Sequence, residues 1–445
     1  MNLTLSNKVA ITDYSPTEYQ AIVYKFTFAN PAHAEALSFG RSTYNIDRTI
    51  CLVDEGNDAL ALPIGALAWL LETFSPDVTD NRATVAAVIS FNGELRLYQE
   101  RFIKLSMQHT HGVMVAATGS GKTISAIAMA GRLQQRTLVL VKSKDLAQQW
   151  RDAIKQFTGL DAGLIGGGKN TEGEQFTIGL IQSLCKRDLT QLNYGLVIAD
   201  ECHNIPAHQA YSVINGINAR YKFGLSATPQ RRDNLEFMIH AALGDVVSEI
   251  EPDELEGKVL PVHITSVKVA FNGDPETWAD FLTVLVNDEA RNRMIITAAI
   301  KTATKMGTVI LCAQVGHCEL LGVMAQEQGV NALVLHGQLS TKVRAERMAR
   351  AHESPLIIGT LSLLSEGIDL PHLSALIFAS PVSAEPHRES PAATRLMQSI
   401  GRCRRPFAGK QRAYIMDICD QHAFGVSAHN KRMAIYQQQG FEVRT

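Results

Sequence analysis

Short apolar runs recur along most of the chain and alternate with longer stretches that have the pattern of helices. From about Phe91 the runs are VMVAA, TLVLV, FTIGLI, YGLVIAD and YKFGLSA, and from about Arg291 they are TVILCA, NALVLH, PLIIGT, ALIFAS and RAYIMD. Continuous apolar strands of this length are typical of a parallel sheet covered by helices on both faces. The pattern therefore predicts two α/β units in series, joined by a connection near residues 251–274.

The first ninety residues follow a different pattern. Two strand-like pieces, AIVYKFTF and TICLVD, precede an apolar helix candidate around residues 64–73. We therefore expect a small α+β domain at residues 1–90, followed by the two α/β units at residues 91–252 and 253–445. The N-terminus lacks a signal-peptide pattern, and the apolar runs are shorter than the ~20 residues that span a bilayer, so a soluble, cytoplasmic protein is expected.

Composition adds little to this picture except in its charge and its cysteines. A hydrophobic content of 46% and a charged content of 19% are ordinary for globular domains. The net charge of −2 offers no long-range attraction for nucleic acid, so binding to it would need local basic clusters. The seven cysteines are scattered without a CxxC pair, which argues against a zinc ribbon or a disulfide framework.

A phosphate-binding loop follows the predicted strand VMVAA and precedes the apolar helix ISAIAMAGRL. Its residues are Thr118, Gly119, Ser120, Gly121, Lys122 and Thr123. The glycines let backbone N–H groups surround a phosphate at a helix N-terminus. Lys122 would neutralise the β- and γ-phosphates, and the Thr123 hydroxyl would bind Mg²⁺. Ala116 stands where the strict pattern has glycine.

Two adjacent carboxylates end the predicted strand of YGLVIAD. Asp200 and Glu201 would lie at the edge of the sheet beside the phosphate loop, because parallel strands present their carboxyl ends at one edge. Asp200 would hold Mg²⁺, directly or through water. Glu201 would orient or deprotonate the attacking water. The two motifs together predict ATP hydrolysis.

The order of further motifs resembles that of superfamily 2 helicases. Asp-Glu-Cys-His is a variant of the DEAD/DEAH box, and AATGSGKT, LVLVKSKDLAQQW, IGLIQSL and GLSATP match other motifs of the first lobe. In the second lobe, IIGTLSLLSEGIDLP and QSIGRCRR match the last two motifs. Within the superfamily the chain is most similar to the XPB/UvsW type, which includes phage branch-migration helicases. The resemblance implies two tandem RecA-like P-loop lobes with parallel sheets that use ATP and Mg²⁺.

The resemblance also implies roles for single residues around the nucleotide. Arg96, Tyr98 and Gln99 match the segment that recognises adenine, and Gly367 and Asp369 match a motif whose aspartate contacts the ribose. Arg402 and Arg405 match the arginine fingers that stabilise the transferring phosphoryl group from the second lobe, and Gln398 shapes their turn together with Gly401. Arginine suits this task because its fixed fork of donors fits phosphate. For Arg404, contact with a nucleic-acid phosphate stays an alternative.

Nucleic-acid contacts are expected where loops follow the parallel strands. The residues that match backbone-binding positions of the family are Lys142, Ser143, Lys144, Gln182, Ser183, His336, Gly337 and Thr360. His203, Ser226 and Thr228 match residues that couple the nucleotide state to this groove. Arg231 and Arg232 are as consistent with a solvated turn as with a DNA contact. Backbone contacts carry little sequence information, so binding should tolerate sequence and weaken with salt.

The favoured interpretation is an ATP-dependent DNA helicase or translocase that acts on forked, branched or duplex DNA in phage replication, recombination or repair. An RNA helicase is the first alternative. A motor subunit that moves along duplex DNA for a partner nuclease or methyltransferase is the second. The N-terminal domain would bind DNA or a partner protein, and no membrane partner is expected.

Overall fold

The computed structural model describes residues 1–56, 58–117, 119–202, 207–227, 235–251, 254, 259–361, 370–383 and 391–444. The chain divides into two compact units, Met1–Glu254 and Leu255–Thr445. The first unit contains a small sheet and a large sheet, and the second contains one large sheet. The three-domain division at residues 90 and 252 stays a prediction.

A small α+β module occupies the first eighty residues. Its elements are β1 (Asn2–Leu5), β2 (Val9–Thr12), α1 (Pro16–Lys25), β3 (Thr27–Ala29), α2 (Pro31–Ser38), β4 (Thr49–Cys51), β5 (Asp54–Glu55), β6 (Leu60–Leu62), α3 (Leu67–Phe74) and β7 (Asp77–Asp80). The main sheet has the order β5-β6-β2-β1-β7, and β3 pairs separately with β4. Alternate residues of β1 and β2 are buried, so one face of this sheet forms the core of the module.

Helix α1 shows that the strand prediction for AIVYKFTF was wrong over most of its length. The Ser15 side chain accepts a hydrogen bond from the Glu18 backbone, the Glu18 side chain accepts one from the Ser15 backbone, and Pro16 begins the helix. This reciprocal cap and the fixed φ of proline favour a helix at this position. The helix therefore continues to Lys25 in spite of β-branched and aromatic residues, and β3 begins at Thr27.

In the large sheet of the first unit, helices connect most of the successive strands. Its elements are α4 (Leu97–Ser106), β8 (His111–Ala116), α5 (Lys122–Leu133), β9 (Thr137–Val141), α6 (Lys144–Thr158), β10 (Gly163–Gly166), β11 (Lys169–Thr171), β12 (Phe176–Leu180), α7 (Ile181–Leu184), β13 (Leu196–Ala199), α8 (Ala207–Gly216), β14 (Tyr221–Ser226), α9 (Glu236–Leu243) and β15 (Val246–Ile250). The order is β11-β10-β12-β9-β13-β14-β8-β15. All pairs are parallel except β10 with β11. The carboxyl ends of the central strands therefore meet at one edge.

Residues 81–92 connect the small module to this sheet and are hydrogen-bonded along its side. The Arg136 backbone N–H donates to the Val85 carbonyl at 2.7 Å, and the Asn92 N–H donates to the Phe157 carbonyl at 2.7 Å. These bonds hold the segment against the large sheet as an ordered strap, although Ile89 is its only fully buried residue.

The small module packs on α9 and β14 of the large sheet. Phe28 stacks on Phe237 with ring centroids 4.2 Å apart, and Ala241 belongs to the core of the module. Lys222, fully buried in β14, donates its ammonium protons to the carbonyls of Asn7 at 3.2 Å and Ile214 at 2.9 Å. The module and the large sheet thus share one continuous interior.

The second unit has a seven-stranded sheet in which every pair is parallel. Its elements are β16 (Val262–Val269), α10 (Trp278–Asn287), α11 (Glu289–Ala303), β17 (Gly307–Cys312), α12 (Val315–Glu327), β18 (Leu333–Leu335), α13 (Thr341–Ala351), β19 (Leu356–Thr360), β20 (Leu373–Phe378), α14 (Pro391–Cys403), β21 (Ala413–Asp420), α15 (Ala423–Gln438) and β22 (Glu442–Arg444). The order is β18-β19-β17-β20-β21-β16-β22. Two tandem α/β units with parallel sheets, as the apolar runs predict, are therefore confirmed.

The connection predicted at residues 251–274 was wrong in one respect, because it contains β16. This strand pairs with β21 along eight residues, from Val262 with Ala413 to Val269 with Asp420. Its second half is only partly buried, and polar residues interrupt its sequence VHITSVKV, so it lacks the continuous apolar run that identified the other strands. None of the described helices is both long and apolar enough to cross a membrane.

Candidate active site

The phosphate loop lies between β8 and α5, as predicted. Gly121 caps α5 with φ of +84°, a conformation that glycine adopts without strain, and Lys122 is the first residue of the helix. Thr123 follows in the first turn, whose backbone N–H groups have no partner within the helix. Ser120 is buried, and its hydroxyl has no hydrogen-bond partner among the described residues. The first turn of α5 is therefore a fitting site for phosphate oxygens.

Two residues of α4 form hydrogen bonds that hold this loop in place. The Tyr98 hydroxyl and the Gln99 amide nitrogen donate to the Ser120 carbonyl at 3.1 and 2.9 Å. The amide oxygen of Gln99 accepts from the Arg96 backbone at 2.9 Å. Tyr98 and Gln99 are buried, whereas Arg96 is exposed at the start of the helix. These contacts fix the loop, and the predicted contact of the three residues with adenine stays a prediction.

The two predicted carboxylates come directly after β13, at the edge where β8 also ends. The Lys122 ammonium donates to the Glu201 carboxylate at 2.9 Å, and both side chains are largely shielded from solvent. Glu201 adopts φ of +47°, which is uncommon for a residue with a side chain and typical of functional turns. The lysine of the loop and the carboxylates of the neighbouring motif thus lie together.

Asp200 is a buried carboxylate in an unfavourable electrostatic position. Burial, and after it the charge of Glu201, raises the pKa of Asp200 to about 6, while a hydrogen bond from Trp150, and after it the charge of Lys122, acts in the opposite direction. A nearby divalent cation would stabilise the ionised form. Among the described residues, no group of three or more acidic, histidine or cysteine side chains is placed so that it could hold a metal ion.

Asp200 has one partner that sequence reasoning missed. The indole N–H of Trp150, in α6, donates to Oδ2 of Asp200 at 2.8 Å. Trp150 is 1% exposed and shares the buried face of α6 with Ala147 and Ile154. In the sequence this spacing signals only a core position, since an amphipathic helix places residues at this interval against the sheet.

The predicted nucleic-acid residues of the first unit lie after two neighbouring strands, β9 and β12. Lys142 and Lys144 are exposed on either side of Ser143, whose hydroxyl caps α6 by accepting from the Leu146 N–H at 3.3 Å. Gln182 is exposed and Ser183 half-buried on α7. The structure thus brings these residues to one edge of the sheet, with both lysines accessible.

In the second unit, the candidates after β18 and β19 differ in exposure. His336 is buried, with Nε2 2.6 Å from the Glu319 carboxylate, while Gly337 is exposed. Thr360 ends β19 and is half-buried. Because β18 and β19 are parallel neighbours, all three lie at one edge of the sheet.

The basic segment at the end of α14 is divided between buried and accessible residues. Gln398 and Gly401 are buried, and Arg402 and Arg405 are half-buried. Arg404 has a local structural partner: its guanidinium donates to the Leu260 carbonyl at 2.9 Å and lies over the Phe441 ring.

Several predicted residues lie outside the described part of the chain. These are Thr118, His203, Thr228, Arg231, Arg232, Gly367 and Asp369. Ser226, predicted to take part in coupling, is buried at the end of β14. The functions assigned to all these residues stay predictions.

Two family descriptions match parts of the chain, one in each of the two compact units. Residues 92–231 match "Type III restriction enzyme, res subunit", and residues 288–406 match "Helicase conserved C-terminal domain". The chain is 27% identical over 336 residues to "Probable helicase D10" of Escherichia phage T5, covering 74% of this chain and 72% of that protein. It is 31% identical over 168 residues to "DNA 3'-5' translocase XPB2" of Sulfurisphaera tokodaii, covering 38% of each chain.

A solved structure is also similar to this chain. Saccharomyces cerevisiae Dbp5 bound to RNA and ADP BeF3 superposes with a TM-score of 0.57 at 16% identity, covering 86% of this chain and 94% of Dbp5. At this level of identity the likeness concerns the fold alone.

Proposed function

We propose, because this chain belongs to superfamily 2 of the helicases, that it is an ATP-dependent DNA helicase or translocase. The contact that carries this proposal is the 2.9 Å hydrogen bond from Lys122 to Glu201. It joins the phosphate loop after β8 to the carboxylates after β13, which is the arrangement that nucleoside triphosphate hydrolysis requires. The helicase domains imply the use of ATP.

The residues around Lys122 fit ATP together with Mg²⁺. Asp200 and the Thr123 hydroxyl are hard oxygen ligands, and the buried Asp200 carboxylate would gain a counter-ion. When bound, Mg²⁺ would reduce the negative charge of the phosphates and so favour attack by water. The buried Ser120 hydroxyl and the first-turn N–H groups of α5 would bind the phosphates.

Each side chain then has a distinct part in hydrolysis. The Lys122 ammonium would exchange its bond to Glu201 for bonds to the β- and γ-phosphates, since a dianionic phosphate is the stronger partner. Glu201, released from this pair, would accept a proton from the attacking water or hold it in line. Arg402 and Arg405 would stabilise charge that develops in the transition state, by resemblance to the family.

The substrate that we propose is DNA, bound through its backbone. The exposed Lys142 and Lys144 flank the N-terminus of α6, where backbone N–H groups and the helix dipole favour phosphate. A relative named as a DNA translocase supports DNA as the substrate, and another is named as a probable helicase of a phage. By resemblance to the XPB/UvsW type, the DNA would be forked or branched, in phage replication, recombination or repair.

Comparison of nucleic acids in an ATPase assay tests this proposal. We expect stimulation by single-stranded, duplex, forked or four-way-junction DNA to exceed stimulation by RNA of matched length, and Lys122→Ala to abolish turnover under all conditions. Stimulation by RNA alone would replace DNA by RNA as the substrate. Normal turnover by a folded Lys122→Ala protein would overturn the site itself.

A salt series tests the DNA-binding edge separately. Lys144→Ala should weaken DNA binding and reduce the slope of log affinity against log salt by up to ~1, as expected for one lost phosphate contact. The matched control is Lys155→Ala, in the last turn of the same helix, where the ammonium pairs with Asp161 at 2.8 Å. An unchanged slope for Lys144→Ala would remove this residue from the DNA contact.

A further inference from the structure

We infer that Trp150 is a positioning residue that links the nucleic-acid edge of α6 to the metal-binding carboxylate of the ATP site. The inference rests on the proposed function, because it uses Asp200 as an Mg²⁺ ligand and the start of α6 as a DNA contact. It adds a physical route by which one site affects the other.

The first step is the contact with Asp200. The indole N–H can only donate a hydrogen bond, and it donates to Oδ2 of Asp200 at 2.8 Å. Trp150 is 1% exposed and Asp200 6% exposed, so water does not readily replace this bond. With Oδ2 held by the indole, rotation of the carboxylate about its last torsion is restricted, and Oδ1 keeps a fixed direction.

The second step is the path of the chain between the two sites. β9 pairs with β13 in parallel register, with Leu140 opposite Ala199, and the Leu140 carbonyl accepts the backbone N–H of Asp200 at 3.0 Å. β9 then continues through Lys142 into α6, which begins at Lys144. The same segment therefore contacts Asp200 through the backbone of β9 and through a side chain of α6.

The third step is the stiffness of α6. Trp150 lies six residues after Lys144, or about 9 Å along a helix that rises ~1.5 Å per residue. The Ser143 cap and the αL ending at Gly159 close the helix at both ends. A phosphate that draws the first turn of α6 towards itself would therefore displace the indole with it. The Asp200 carboxylate would follow, because the indole that holds it is tightly packed and moves only together with α6.

Replacement of Trp150 by phenylalanine tests the positioning role by a measurement other than turnover. Ligand-positioning partners of this kind typically change metal affinity about 10–100-fold when removed. We expect the gain in ADP affinity that Mg²⁺ confers to fall roughly 10-fold in Trp150→Phe, while ADP affinity in the presence of a chelator stays unchanged. Trp278→Phe, the same change in the second unit, is the control. An unaltered Mg²⁺ effect in a folded Trp150→Phe protein would overturn the role.

A second measurement keeps Trp150 in place and tests the link to nucleic acid. The chain contains three tryptophans, so Trp69→Phe together with Trp278→Phe leaves Trp150 as the only indole emitter. We expect its emission to change both with MgADP and with a DNA oligonucleotide added without nucleotide, and the DNA-induced change to be lost in Lys144→Ala. Emission that is constant while fluorescence anisotropy shows the DNA to be bound would refute the link.

Turnover of the unaltered chain separates the two levels of the argument. If DNA and RNA both fail to stimulate its ATPase, the proposed function fails. If DNA stimulates the unaltered chain and Trp150→Phe to the same extent, with the same Mg²⁺ dependence, the function stands and the inference about Trp150 fails.

Discussion

Gly121→Ala is expected to damage nucleotide binding through two separable effects. The first is backbone strain, because φ of +84° costs a residue with a side chain roughly 1–2 kcal/mol. The second is a collision, because a methyl group at this position would overlap the amide nitrogen of Gln99. Gln99 would have to leave its bonds to Ser120 and Arg96, both 2.9 Å long and worth about 1 kcal/mol each.

Together these effects amount to ~3–4 kcal/mol, so a loop that moves to relieve them would bind nucleotide about 100-fold less tightly or worse. The assay is equilibrium binding of ADP with Mg²⁺, accompanied by thermal unfolding. Gly159→Ala is the matched control, since Gly159 ends α6 with φ of +74° but has open space around the added methyl group. Gly159→Ala should lower the melting temperature because of backbone strain, and it should leave nucleotide affinity unchanged.

A double-mutant cycle isolates the collision. In a chain that already carries Gln99→Ala, Gly121→Ala should lose only the affinity that strain removes, because the side chain in its path is absent. Two outcomes would contradict the role of Gln99 in holding the loop. One is that Gly121→Ala binds nucleotide as tightly as the unaltered chain. The other is that Gly121→Ala lowers nucleotide affinity equally with and without the Gln99 side chain.

Changes at three further positions address chemistry and stability. Glu201→Gln should retain MgATP binding and lose turnover. An equilibrium binding assay measures the first and a rapid-quench assay the second. Normal turnover would require another base. Arg405→Ala should lower kcat much more than nucleotide affinity, and Arg405→Lys should restore little; equal loss of kcat and DNA affinity would instead indicate a nucleic-acid contact. Burial lowers the pKa of Lys222 to about 7 in the folded chain. Between this pH and the ordinary lysine pKa, the unfolded chain binds more protons than the folded chain. The folded first unit therefore gains stability as pH rises through this range. Urea unfolding at several pH values should show this rise, and Lys222→Met should flatten it; parallel profiles for the two proteins would argue against a depressed pKa.

The strands of the two large sheets could be predicted because burial on both faces leaves an unbroken apolar run, as in β9 and β13. The places of Lys122 after β8, and of Asp200 and Glu201 after β13, could be predicted because ATP hydrolysis would require particular residues directly after such strands. The roles of these residues stay predictions. β16 was missed because polar residues interrupt its apolar positions, so its sequence resembles a surface segment until its partner, β21, is known. α1 was misread because its cap at Ser15 outweighs the strand preference of the residues that follow.

The contact of Trp150 with Asp200 could not be predicted from either motif alone. Its existence depends on how α6 is rotated against the sheet, and this rotation is fixed by the packing of residues such as Ala147 and Ile154. The docking of the N-terminal module on α9 has the same origin, since Phe28 and Phe237 are far apart in sequence.

The strap at residues 81–92 limits how this motor could be shortened or fused to other proteins. A chain that began at residue 93 would lose the backbone partners of Arg136 and Phe157 and would expose Phe237 and Ala241 to water. Such a fragment would carry the complete ATP-binding loop and still tend to aggregate, because newly exposed apolar surface of this kind promotes association. A fusion partner inserted at the apparent domain boundary would interrupt these hydrogen bonds. A protease should cleave residues 81–92 slowly, because the same bonds oppose the local unfolding that cleavage requires.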